Sequence, residues 1–272
     1  MVLREPVTTR GLQSGERKIW LLSGLLFAVA GAYAAGVIFR DSEDFSPLVD
    51  GVLGLLTMWL PAAVGWLIVY RTKGRRPDIM LSVGALSFHA AGDAYYVLQS
   101  AAGEDVPLPS PADVGYIGFY LLMLAALASI VRDRLREMTW PVLLDSALGA
   151  LGAAAVLAVV LDPILNSALD GPRSLAAALG AAYPLLDLLL VAAVIGIAAT
   201  AGRAIGEGWA LLVLGLITYA GADMVYALLE LNDLYVVGTP LDAAWAAGTA
   251  LVGSWTVFQG RPGGGGAKAA GE

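Results

Sequence analysis

Five aspartates stand at helical spacing from aromatic residues within apolar stretches of this 272-residue chain: Asp93-x-x-Tyr96, Asp113-x-x-Tyr116, Tyr183-x-x-x-Asp187, Asp223-x-x-Tyr226 and Asp242-x-x-Trp245. A carboxylate inside a membrane segment is costly, so by default it marks a functional site. Carboxylates beside ring faces suit a small cation or amine, because the acid meets the charge and the ring adds cation–π attraction. The same groups suit a protonation signal. On a helix His89, Asp93 and Tyr96 fall at i, i+4 and i+7, on one face, so His89 is expected to hydrogen-bond Asp93 rather than ligate a metal, and Tyr219, Asp223 and Tyr226 share a face in the same way. Asp113, Tyr116 and Tyr120 share a face in the same way. The second set follows the first by 130 residues for Asp93 and Asp223, and by 129 for Asp113 and Asp242. Two matched pairs imply a duplicated unit that builds one polar pocket.

The elements that must position these groups are membrane helices. The chain is 58% hydrophobic and 14% charged, with a mean hydropathy of +0.74. At about 20 residues per crossing, eight segments read as spans: 19–39, 48–70, 79–101, 111–131, 141–161, 174–200, 207–229 and 239–259. The expected fold is an all-α, eight-helix transmembrane bundle over 19–260. A segment of residues 1–18 precedes it and a flexible Gly-rich tail, 261–272, follows. Pro111 and Pro141 sit near first turns, where a missing N–H costs nothing. Pro61 and Pro184 lie inside their segments and predict kinks. Arg17-Lys18, the apolar run after them and Ala32-Tyr33-Ala34 also fit a cleaved signal peptide, and that alternative stays open for the first segment.

Every Lys and Arg except Arg40 and Arg173 falls on one side of such a bundle. The positive-inside rule then places both termini in the cytoplasm of a plasma-membrane protein. Asp93 lies about 12 Å below the outer boundary at 1.5 Å per residue, so the pocket should open outward. The repeat divides the bundle at about 19–131 and 141–259. Four spans per unit make the halves parallel, related by an axis along the membrane normal. Gly92, Gly221 and Ala222 should let helices approach closely. Asp145 and Asp162 lie near helix ends and read as interfacial or capping groups.

Several chemistries are excluded or disfavoured. There is no cysteine and one histidine, so thiolate chemistry and a multi-histidine zinc site have no ligands. No lysine lies inside a span to anchor a Schiff base. Ala91-Gly92-Asp93 only echoes the Gly-Asp context of an intramembrane aspartyl protease. There is no phosphate loop and no basic nucleic-acid patch. No cofactor, metal or catalytic motif is expected.

The series Pro111-Ala112-Asp113-Val114-Gly115-Tyr116-Ile117-Gly118-Phe119-Tyr120 is distinctive, as are Leu144-Asp145, Tyr183-Pro184-Leu185-Leu186-Asp187, Asp223-x-x-Tyr226 and Asp242-x-x-Trp245. Together they resemble the N-terminal multi-pass membrane domain of actinobacterial GGDEF/EAL signalling proteins, over about residues 20–260. The resemblance implies a sensory input region that reports to cytoplasmic modules making or degrading cyclic di-GMP. The GGDEF sequence itself is absent. The expected function is therefore a membrane-embedded sensory or ligand-binding module. His89, Asp93, Tyr96, Asp113, Tyr116, Tyr183, Asp187, Asp223, Tyr226, Asp242 and Trp245 form its site. Its partners are the bilayer, a small cation or proton, and a cytoplasmic signalling protein. A small cation- or proton-coupled transporter is one alternative. A structural subunit whose aspartates only lock helices together is another.

Overall fold

The apolar runs form long helices in the computed structural model, which describes residues 9–40, 45–104, 106–135, 174–201, 208–230, 232 and 234–261, with scattered positions from 144 to 166. The helices are α1 (Thr9–Ile38), a π-helix (Pro47–Leu53), α2 (Gly54–Arg71), α3 (Pro77–Ala101), α4 (Pro111–Leu135), α5 (Leu175–Ala201), α6 (Trp209–Glu230) and α7 (Pro240–Gln259). No strand occurs among the described residues. Part of the span expected at 141–161, together with Asp145 and the tail from 262, lies outside them. Asp162 is exposed and accepts a bond from Asn166 Nδ2 at 3.1 Å.

Among the described residues, five stretches are long and apolar enough to cross a bilayer: Glu16–Ile38, Pro47–Arg71, Pro111–Arg132, Leu175–Ala198 and Trp209–Glu230. Their outward faces carry Trp20, Leu25, Trp59, Trp66, Leu121, Leu189 and Leu214, all exposed. Rings and branched chains on an outer surface suit lipid, which is as apolar as they are. α3 and α7, expected as spans, do not reach that apolarity, and packing explains why. α7 touches α1, α2, α3 and α6, and its residues Val252 to Val257 are buried without a break. A helix enclosed by protein can carry such groups: Thr256 bonds the Gly253 carbonyl of its own helix and Thr249 reaches the Thr57 carbonyl of α2.

Two boundaries differ from the sequence reading. α1 begins at Thr9 rather than near residue 19, since Arg10, Glu16, Arg17 and Lys18 are good helix formers that do not stop it. The second span is not uniformly α-helical. It opens with the π-helix, where Gly51 N–H reaches back five residues to Ser46 O at 3.3 Å. The wider turn carries Asp50 inward, where it is 2% exposed.

Pro61 and Pro184 both lie inside continuous helices. Proline cannot bond the carbonyl four residues back, and the carbonyl freed by Pro61 is that of Thr57. Thr249 Oγ1 of α7 lies 3.3 Å from it, within reach, and 3.1 Å from the Trp245 and Ala246 carbonyls of its own helix. α2 and α7 meet closely at this point, because a Cβ on Gly253 would stand 2.8 Å from the Pro61 ring.

α3 and α4 make the tightest crossing. A Cβ on Gly115 would lie 2.5 Å from Phe88 O and 2.7 Å from Gly92 N, so the two backbones touch. Gly92 thus serves the close approach expected of it. Ala222 is buried as well, but Gly221 has nothing within 4 Å of a built Cβ and faces outward. A helix presents only one face to a neighbour, and Gly221 is on the other.

Candidate functional site

α3 and α6 run toward one end of the bundle, while α4 and α7 start from it. That end therefore collects their carboxylate-bearing turns around a single cavity of about 530 Å3. All eleven residues singled out from the sequence line it: His89, Asp93, Tyr96, Asp113, Tyr116, Tyr183, Asp187, Asp223, Tyr226, Asp242 and Trp245. Val106, Pro107 and Leu108 from the α3–α4 connection and Tyr235 and Val237 from the α6–α7 connection complete the wall. No Lys or Arg lines it among the described residues.

Each carboxylate is held by a donor from outside its own helix turn. Tyr116 of α4 donates its hydroxyl to Asp93 of α3 at 3.0 Å. In the other pair, Trp245 of α7 donates Nε1–H to Asp223 of α6 at 2.5 Å. The two bonds join matching positions of the two Asp-aromatic sets. Asp113 accepts the hydroxyl of Tyr183 from α5 and the Ser110 N–H at 2.5 Å. Asp242 accepts Gly238 N–H at 2.5 Å, Thr239 N–H at 3.0 Å and the Tyr235 hydroxyl at 2.8 Å. Asp113 and Asp242 each sit three residues after a hydroxyl residue, Ser110 and Thr239. There a carboxylate caps the amides of a helix start.

Tyr120 links three helices. Its hydroxyl lies 2.7 Å from Asp187 of α5 and 2.5 Å from Asp223 of α6. Tyr120 and Asp187 are both fully enclosed. Tyr226, Tyr235 and Trp245 pack edge to face beside them, with the Tyr226 and Tyr235 centroids 4.8 Å apart. Burial and the Asp242 carboxylate hold the Tyr235 phenol well above its ordinary value, so it stays a proton donor to Asp242 at any physiological pH.

His89 corrects one expectation. Its hydrogen bond goes not to Asp93 but to Tyr219, whose hydroxyl lies 3.1 Å from Nδ1. Its Nε2 stands 3.4 Å from Asp93 Oδ2, close enough for charge attraction but without a hydrogen bond. The helical pitch brings i and i+4 side chains near each other. The Tyr219 hydroxyl from the facing helix fixes the ring's orientation instead.

Sequence reasoning missed a second layer. Tyr33 and Asp50 also line the cavity. Arg40, read only as an outer charge, donates NH1 to Asp50 at 2.7 Å and NH2 to Gly238 O at 2.7 Å. It thus ties the end of α1 to the π-helix and to the α6–α7 connection. Asp50 also accepts Ser46 N–H at 2.7 Å. The signal for Asp50 was present, as it is an acid within an apolar run, but it lies outside the repeated motif. Tyr235 carried no signal, being in a connection.

Among the described residues no three His, Cys, Asp or Glu side chains converge to hold a metal ion. The arrangement can enclose a small positively charged group, offering it carboxylate oxygens and ring faces. Comparison with family models, curated proteins and solved structures finds no match to this chain.

Proposed function

We propose that the chain is a duplicated, eight-span plasma-membrane protein with both termini cytoplasmic, and that its cavity binds a small organic cation as the input to a cytoplasmic signalling partner. The observation that carries the reading is the cavity itself. Six aspartates and a ring of tyrosines line it, and no Lys or Arg does among the described residues. Such walls attract a cation and repel an anion.

The duplication is supported by paired geometry. Tyr116 bonds Asp93 as Trp245 bonds Asp223. Asp113 and Asp242 cap their helices in the same way, after Pro111 and Pro240. The orientation is supported by charge. Arg71, Lys73, Arg75, Arg76, Arg132 and Arg261 lie at the end opposite the cavity, where a cytoplasmic face gathers them. The signalling role rests on the resemblance to the input domain of GGDEF/EAL proteins.

Thermal unfolding of the purified protein with a panel of monovalent organic cations tests the reading. A ligand at 100 times its Kd should add about 2.7 kcal/mol to stability. The Asp93→Asn/Asp223→Asn double variant should lose that gain. Identical unfolding of the wild type with and without every cation would remove the proposal.

A structural reading is favoured by a separate observation: Asp93, Asp113 and Asp223 each accept a bond from a side chain on a neighbouring helix. Under it, the Asp→Asn changes lower stability and alter no binding. A transporter is the neighbouring functional reading, favoured by Asp187, which is buried in the bundle interior. It predicts cation flux into liposomes that Asp187→Asn abolishes.

A further inference from the structure

The Tyr120 hydroxyl has one hydrogen and two carboxylates against it, Asp187 Oδ1 at 2.7 Å and Asp223 Oδ2 at 2.5 Å. It can donate to only one of them. If both carboxylates were ionised, the other contact would press two acceptor oxygens together with no hydrogen between them. The contact becomes a hydrogen bond once that carboxyl is protonated and donates its own O–H to the Tyr120 oxygen. The geometry therefore counts one proton on the Asp187–Asp223 pair. Trp245 Nε1–H already occupies the other oxygen of Asp223.

Two buried polar atoms of residues lining the cavity are also unpaired. Asp50 Oδ1 and His89 Nε2 both belong to residues that line it. Both are buried, with their residues 2% and 4% exposed, and neither has a hydrogen-bond partner among the described residues.

We propose that Asp187, Tyr120 and Asp223 form a proton-binding site, and that its proton leaves to solvent when a monovalent cation enters the cavity. This rests on the cation reading above and names its regulation. The exchange balances: one positive charge enters and one leaves, and Tyr120 keeps its hydrogen throughout. With the cation absent, the proton removes a negative charge that the interior would otherwise have to carry. With the cation present, the freed carboxylate pairs with it. Other titratable groups face the trio. Asp93 and His89 come from α3, Asp113 from α4, Tyr183 from α5, Tyr219 and Tyr226 from α6, and Asp242 from α7. Asp93, Asp113 and Asp242 each have donors of their own.

Two measurements on the full chain test this. The first is infrared spectroscopy at neutral pH without ligand. It should show the C=O stretch of a protonated carboxylic acid, shifted in heavy water and lost in Asp187→Asn/Asp223→Asn. The heavy-water shift is read on the wild type, so it survives a variant that fails to fold. Absence of the band, or its persistence in a folded double variant, overturns the proton site.

The second is calorimetric titration with tetramethylammonium, which carries no proton of its own, in two buffers of different ionisation enthalpy. Release of about one proton per cation bound is the expected result. Binding with no proton released overturns the exchange and leaves the cation reading standing. No binding overturns both the exchange and that reading for this class of cation, while the infrared band still decides the proton site.

Discussion

His89 and Tyr219 are 130 positions apart in the chain, yet the Tyr219 hydroxyl lies 3.1 Å from His89 Nδ1. They occupy the same place in the two Asp-aromatic sets, four residues before Asp93 and four before Asp223. The two sets thus meet at their own equivalent residues, with Phe119 stacked beside the contact at 4.5 Å from Tyr219. Tyr219→Phe keeps the ring and removes the hydroxyl. It should lower stability by about 1–3 kcal/mol, because His89 Nδ1 is left buried and unpaired. Unfolding in detergent measures this, and an unchanged midpoint would mean that the bond contributes nothing.

Glycine substitutions should separate contact from propensity. Gly115→Ala must push α4 away from Phe88 O and Gly92, both backbone, so it should destabilise by more than about 3 kcal/mol or abolish folding. Gly24→Ala and Gly31→Ala in α1 meet nothing within 4 Å. They should be neutral or stabilising by up to about 1 kcal/mol from helix propensity. Comparable losses at all three sites would contradict the α3–α4 crossing described here.

Arg40→Ala strands a buried carboxylate and should cost about 3–5 kcal/mol. Arg40→Lys should recover little of it, because a single ammonium on a flexible stem does not reproduce the fork that spans Asp50 and the Gly238 carbonyl. Arg40→Met with Asp50→Asn should be more stable than Arg40→Ala alone. A double-mutant cycle showing no coupling would dissolve the tie between α1 and the α6–α7 connection.

Because the chain contains no cysteine, a single introduced thiol reports without background. Glu104→Cys and Lys73→Cys replace exposed residues at opposite ends of α3. An impermeant maleimide added to intact cells should label the first, and should label the second only after permeabilisation. The reverse pattern would invert the proposed topology.

What could be read in the sequence followed from two periodicities and one energetic rule. Apolar length placed α4, α5 and α6 to within a few residues, and the cost of an acid in an apolar run pointed to the aspartates that surround the cavity. The π-helix was not legible, and neither was the bond from Arg40 that, with the local Ser46 N–H, holds its Asp50. His89 was paired with Asp93 by pitch alone, whereas the partner that orients it comes from a helix 130 residues away. α7 also carries Thr249, Ser254 and Thr256 within its buried stretch. Only the packing shows that α1, α2, α3 and α6 enclose it.

α7 has a further consequence. Near its start, Trp245 holds Asp223 in the cavity wall. At its end, the Gln259 backbone and side-chain oxygens accept bonds from Arg76 at 3.2 and 3.1 Å, and Arg76 grips Asp78 of α3 as well. Twenty residues of helix span about 30 Å as one stiff rod. A tilt of about 5° at the Trp245 end would carry Gln259 sideways by about 1.8 Å over the roughly 21 Å between them, farther than the Arg76 bonds can stretch. The fastening at Arg76 must therefore either follow the tilt or let go. An event inside the cavity would then reach the far face as a make-or-break contact, without passing through any flexible segment of the chain.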